Sequence, residues 1–215
     1  MKQSWNDITI KDLMLIRDID SMQMATEDEK NLKVAAIIAE MPYEQLIQIP
    51  LNDVKTYMDA ASFLLEKPEP VKHKRKYEIN GREYKLFKDP SEMTVAQYID
   101  FQAIYQDGFD KRPAELLSIM LIPKGHTYND GYDKEEAIND MYDLSVVEGL
   151  GICDFFMKRY IRSIKWALMY CKVMMWWAKL TARKENKEMV TALEIQMRLI
   201  TENLNCIFGS PVFKL

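Results

Sequence analysis

Apolar residues recur at helical spacings through most of the chain, and the stretches that carry them open on explicit start signals. Thr26 to Glu29, Thr94 to Gln97 and Ser145 to Glu148 are capping boxes, in which a hydroxyl satisfies an orphan N–H and the third residue reaches back to the cap; Thr9 to Asp12 is a weaker version. The pattern predicts helices over 10–20, 27–40, 43–48, 52–66, 95–106, 112–121, 134–142, 146–183 and 187–207. Gly149 and Gly151 weaken the first turns of the 146–183 stretch and mark the place where it would break.

One segment alternates instead. From Lys74 to Phe87 the period is two around Asn80-Gly81, a type I′ hairpin signal. A two-residue loop sets Ile79 opposite Arg82 and Tyr77 opposite Tyr84. Tyr77, Ile79, Tyr84 and Leu86 then share one face, with Lys76, Glu78, Glu83 and Lys85 on the other. A lone hairpin is marginal in water, so the apolar face is expected to pack on helices or on another subunit. Pro68-Glu69-Pro70 marks a boundary between two halves that read as degenerate copies. Asp7–Leu13 resembles Glu92–Tyr98, and Leu51, Val54 and Phe63 match Leu144, Val147 and Phe156 at a constant offset of 93. Similar helical patterns also mimic duplication. The fold class expected is mainly α: two helical lobes flanking one β-hairpin, with a long C-terminal helical hairpin. The divisions fall at 1–67 (N-terminal lobe), 68–89 (linker and hairpin), 90–154 (second lobe) and 155–215 (basic, apolar helical hairpin and docking tail).

Composition changes the picture only when it is divided. The 215 residues are 48% hydrophobic and 29% charged, with a net charge of −4, an ordinary globular balance. Taken over 1–67, 68–154, 155–184 and 185–215, the charge is −5, −6, +8 and −1, so one basic segment sits in an acidic protein. Three cysteines without CxxC spacing argue against a disulfide framework, and the polar start after Met1 lacks the apolar stretch of a signal peptide. The most apolar window, Ile161 to Leu180, is interrupted by Arg162, Lys165, Lys172 and Lys179, which makes it unsuitable as a membrane span. A soluble, intracellular protein is expected, neither secreted nor transmembrane.

The sequence offers little chemistry. His73 and His126 form no HExxH and no Cys/His cluster of zinc spacing. Gly149-Leu150-Gly151 lacks the third glycine and the preceding strand of a dinucleotide fingerprint. The loop His126–Asp133 resembles a calcium loop only faintly, since His126, Tyr128 and Ala137 stand where its carboxylates belong. No GxSxG elbow occurs, and Cys153 reads as a small apolar core residue. No catalytic residue, metal, cofactor or small-molecule substrate is expected.

The basic helix stands out. Met157, Ile161, Ile164, Leu168, Cys171, Met175, Ala178 and Ala182 follow one another at alternating spacings of four and three, an unbroken heptad seam. One position along run Lys158, Arg162, Lys165, Lys172, Lys179 and Arg183, a cationic edge about 40 Å long. Trp166, Tyr170, Val173, Met174, Trp176 and Trp177 widen the apolar surface, and the next helix, from Met189 to Ile207, offers a seam for antiparallel pairing. Three readings are open: a helical hairpin with a solvated basic edge, a subunit or partner interface facing acidic surface, and a nucleic-acid or anionic-membrane surface. The whole-chain charge and the lack of a recognition motif count against nucleic acid. Val212, Phe213 and Leu215 at the C-terminus suit a docking peptide or a fold back onto the core.

The order of features carries a resemblance. Trp5-Asn6-Asp7-Ile8-Thr9-Ile10-Lys11-Asp12 opens an acidic helical half, and the hairpin Tyr77–Tyr84 leads into Met93-Thr94-Val95-Ala96-Gln97-Tyr98-Ile99-Asp100. Leu121-Ile122-Pro123-Lys124-Gly125, the Gly131-Tyr132-Asp133 loop and Phe155-Phe156 follow. Over about residues 5–160 this resembles small helical proteins encoded among the structural genes of tailed bacteriophages and prophages of Bacteroides-type bacteria. These are regarded as tail-assembly-chaperone-like, and the related crAss-like gut phages also carry internal cargo and neck proteins. The resemblance implies a non-enzymatic part in virion assembly, or packaging within the virion, so that the protein would reside in the particle or the host bacterial cytoplasm. The implied partners are other phage structural proteins, further copies of the chain, or weak contact with DNA or membrane. No functional residue is carried over from it. The interaction surface expected from the residues themselves is Met157, Ile161, Ile164, Trp166, Leu168, Met175, Trp176 and Trp177.

Overall fold

A computed structural model describes residues 1–181 except 24, 88, 90, 91 and 108–110, and leaves aside the side chains of 106, 107, 164, 167, 168, 172 and 175–181. The helix expected over 187–207, the C-terminal docking segment and Arg183 lie outside the described residues. The protein is mainly helical with one small antiparallel sheet. Two compact units are present, Met1–Phe156 and Met157–Leu215.

The elements of the first unit begin with α1 (Ile10–Asp20), α2 (Glu27–Ala39), α3 (Tyr43–Leu46) and α4 (Leu51–Ala60), followed by a 3₁₀ turn at Ala61–Leu65. The Thr9 box, the weaker signal in sequence, forms completely. Thr9 N–H donates to the Asp12 carboxylate at 2.8 Å, and Asp12 N–H donates to the Thr9 hydroxyl at 3.2 Å. It gains strength from a residue outside the motif, because the Lys2 ammonium pairs with the same carboxylate. At Thr26 only one half forms, with Glu29 N–H donating to the hydroxyl at 3.2 Å. Glu40 ends α2 in the left-handed region at φ 58°. Ala35, Ala36 and Leu46 form a small core with Leu32, Met41, Tyr43, Ile49 and Tyr57 against it. Trp5 closes edge-on over Phe63 and donates its indole N–H to the Glu66 carbonyl at 2.8 Å.

Strands β1 (Lys76–Ile79) and β2 (Arg82–Leu86) make the hairpin in the expected register, Tyr77 opposite Tyr84 and Ile79 opposite Arg82. Asn80 and Gly81, at φ 51° and 76°, supply the two positive dihedrals of a type I′ turn. Tyr77, Ile79, Tyr84 and Leu86 are all buried, as the alternation requires. The sheet has a third strand that the sequence pattern does not announce. Helix α5 (Val95–Asp107) is followed by α6 (Pro113–Met120), which runs straight into β3 (Leu121–Pro123), paired antiparallel with β2. The expected helix over 112–121 therefore ends one residue early, because Leu121 turns extended to pair with Leu86.

Helix α6 is buried on almost every side: Pro113, Ala114, Leu116, Leu117, Ser118, Ile119 and Met120 are all inaccessible. Such a helix is a core element. The Thr94 box positions α5 beside it. Gln97, only 4% exposed, accepts from Thr94 N–H at 3.0 Å and donates its amide to the Ile119 carbonyl at 3.1 Å. Helix α7 (Lys134–Tyr142) starts at Asp133, whose carboxylate accepts from the N–H groups of Glu135 and Glu136.

Helix α8 (Val146–Thr181) runs unbroken through Gly149 and Gly151. These glycines are places of close approach. A methyl group on Gly149 would meet Ile10 at 3.1 Å and Leu117 at 3.3 Å, and one on Gly151 would collide with the Val71 carbonyl. Val71 in turn donates its N–H to the Val147 carbonyl at 3.2 Å, and His73 stacks on Phe155 at 3.7 Å. The chain start is fixed at the same point by Ile10 N–H to the Leu144 carbonyl and Val146 N–H to the Ile8 carbonyl, at 2.9 and 2.8 Å. Between the apparent copies the Thr9 and Thr94 boxes are alike, but Leu51 is 81% exposed where Leu144 is buried.

Helix propensity alone makes Gly151→Ala stabilising by about 1 kcal/mol. The contact with Val71 reverses the sign. A loss of about 1–3 kcal/mol, typical of overpacking, is expected in urea unfolding followed by circular dichroism, and a smaller change at Gly149, where only side-chain ends must give way.

Candidate docking surface

Among the described residues, no three His, Cys, Asp or Glu side chains are grouped to hold a metal ion. The polar clusters that do occur fasten elements together. At the hairpin tip, Tyr84 donates its hydroxyl to Asp140 at 2.5 Å, Arg82 bonds Asp140 at 3.1 Å and pairs with Glu136, and the Asn80 amide reaches Asp140 at 3.0 Å and Asp143 at 2.8 Å. Burial, and then the neighbouring Asp140 carboxylate, push the Tyr84 hydroxyl well above its ordinary pKa. It therefore serves as a donor that holds β2 on α7.

A second cluster joins the His126–Asp133 loop to α5. Tyr128 donates to Asp100 at 2.6 Å and Lys134 pairs with the same carboxylate at 2.9 Å. The Tyr128 hydrogen bond, then the Lys134 ammonium, hold Asp100 below its usual range. Cys153 is buried, and burial raises its thiol pKa. That is the environment of an inert core cysteine. Burial would raise the Asp12 carboxyl too, but the Lys2 ammonium and the N–H and hydroxyl of Thr9 outweigh it, and its pKa falls below the ordinary value.

The other feature is the outer part of α8. Its described side chains past Phe156 begin with buried Met157 and half-buried Ile161 and reach exposed Cys171, all three on the heptad seam. Trp166, Met169, Tyr170, Val173 and Met174 are 48–65% exposed. At 100° per residue, Trp166, Tyr170 and Val173 stack at i, i+4 and i+7 on the side opposite the seam, with Met169 and Met174 flanking them. Lys158, Arg162 and Lys165 are exposed along the border of that stripe. Ile164, Leu168, Lys172, Met175, Trp176, Trp177 and Lys179 lie on the same helix, and nothing further is described for their side chains. No helix among the described residues is long and apolar enough to cross a membrane.

Single exposed apolar side chains are ordinary, but a contiguous stripe of aromatic and methionine residues rimmed by cations has the composition of an interface core. Sequence reasoning singled out the seam and, beyond it, Trp166, Tyr170, Val173 and Met174, and missed Met169. It also missed a second exposed stripe on α5, where Val95, Tyr98 and Ile99 are 77, 46 and 60% exposed.

No protein-family profile, curated protein or solved structure matches this chain.

The Asp12 geometry sets a pH dependence. A carboxyl held below its unfolded pKa stabilises the fold fully above that value, near 3.9, and the contribution is lost as pH falls through the lower folded value. Asp12→Asn is expected to lose about 1–3 kcal/mol at pH 7, the range for a broken charged hydrogen bond in a largely buried site. In urea titrations the gap from wild type should close below about pH 4.

Proposed function

We propose that the protein is a non-enzymatic assembly component that works by docking the apolar, cation-rimmed face of α8 onto acidic protein surface. The observation that carries this reading is the run of five large apolar side chains, Trp166 to Met174, standing in solvent on one helix beside exposed cations. Desolvating a tryptophan and a tyrosine at the centre of a contact is the usual source of binding energy between proteins, and surrounding charge sets orientation and association rate. The segment 155–184 has eight basic residues and no acidic one, so its complement is an acidic partner. The setting that the sequence resemblance implies is the assembly of a tailed-phage particle, as packaged or neck component or as tail-assembly chaperone.

A second reading uses the same cations. Lys158, Arg162 and Lys165 are exposed along one edge, and such an edge also fits a phosphate backbone or an anionic lipid surface. The two differ in salt dependence. Contact with duplex DNA loses affinity linearly in log–log salt, by about 0.9 per phosphate neutralised.

Anisotropy titrations with labelled duplex DNA and with anionic vesicles are expected to show no saturable binding at physiological salt. Submicromolar binding that disappears on Lys158→Gln, Arg162→Gln and Lys165→Gln together would transfer the function to the second reading. The phage setting is tested by quantitative mass spectrometry of purified particles against infected-cell lysate. Stoichiometric copies in particles identify a retained component, presence in lysate alone identifies a transient chaperone, and absence from both rejects the setting.

A further inference from the structure

We draw no further inference here: the strongest candidate, the exposed apolar stripe of Val95, Tyr98 and Ile99 on the outer face of α5, carries none because nothing in the structure shows what covers it.

Discussion

The first unit is organised by a helix with no free side. Seven of the eight residues of α6 are buried, so its whole circumference has to be enclosed by other elements of the chain. An enclosed helix cannot rely on water for its terminal carbonyls. The Gln97 amide takes that of Ile119 and Leu121 N–H takes that of Leu117. The chain then leaves α6 as β3, which extends the hairpin to three strands and seats it over the core. From another direction the start of α8 comes close enough to Leu117 for Gly149 to be required there. Caps, strand and glycine are responses to one packing problem.

Electrostatics divides along different lines. In the first unit several carboxylates are answered locally: Asp12 by Lys2, Asp100 by Lys134, Glu136 and Asp140 by Arg82, and Glu83 by Lys76 and Lys124. These pairs hold segments together. The basic run of α8 has no carboxylate within its own stretch of sequence. Combined with the exposed aromatic and methionine stripe, it is the ground on which the assembly role is proposed.

Local signals were legible in the sequence where one short-range cause decides. Asn80-Gly81 determines turn and register because few other residues tolerate two successive positive dihedrals, and threonine boxes mark helix starts because the cap is made within three residues. What depended on distant chain was not legible. Gly149 and Gly151 carry a propensity penalty that predicts a break, whereas their reason is the approach of Ile10, Leu117 and Val71. Three residues of β3 are too few to show a period after so apolar a helix. The Thr9 box read as weak because Asp12 stands where the motif has Glu or Gln, and Lys2, which supports it, lies outside the motif. On α5 both faces are apolar, so periodicity cannot tell Phe101, which is buried, from Ile99, which is not. On α8 the sequence shows apolar residues both on the seam and beyond it, but not that Trp166, Tyr170, Val173 and Met174 stand exposed.

The central claim is that the basic helix meets acidic protein surface, and zero-length carbodiimide cross-linking of a mixture of ¹⁴N- and ¹⁵N-labelled full-length chains tests it directly. The account predicts that Lys158 or Lys165 links to carboxylates of a second copy where the chain self-associates, and that the links fade as salt is raised. Self-association in which these lysines form no mixed-isotope link, or links indifferent to salt, would contradict it.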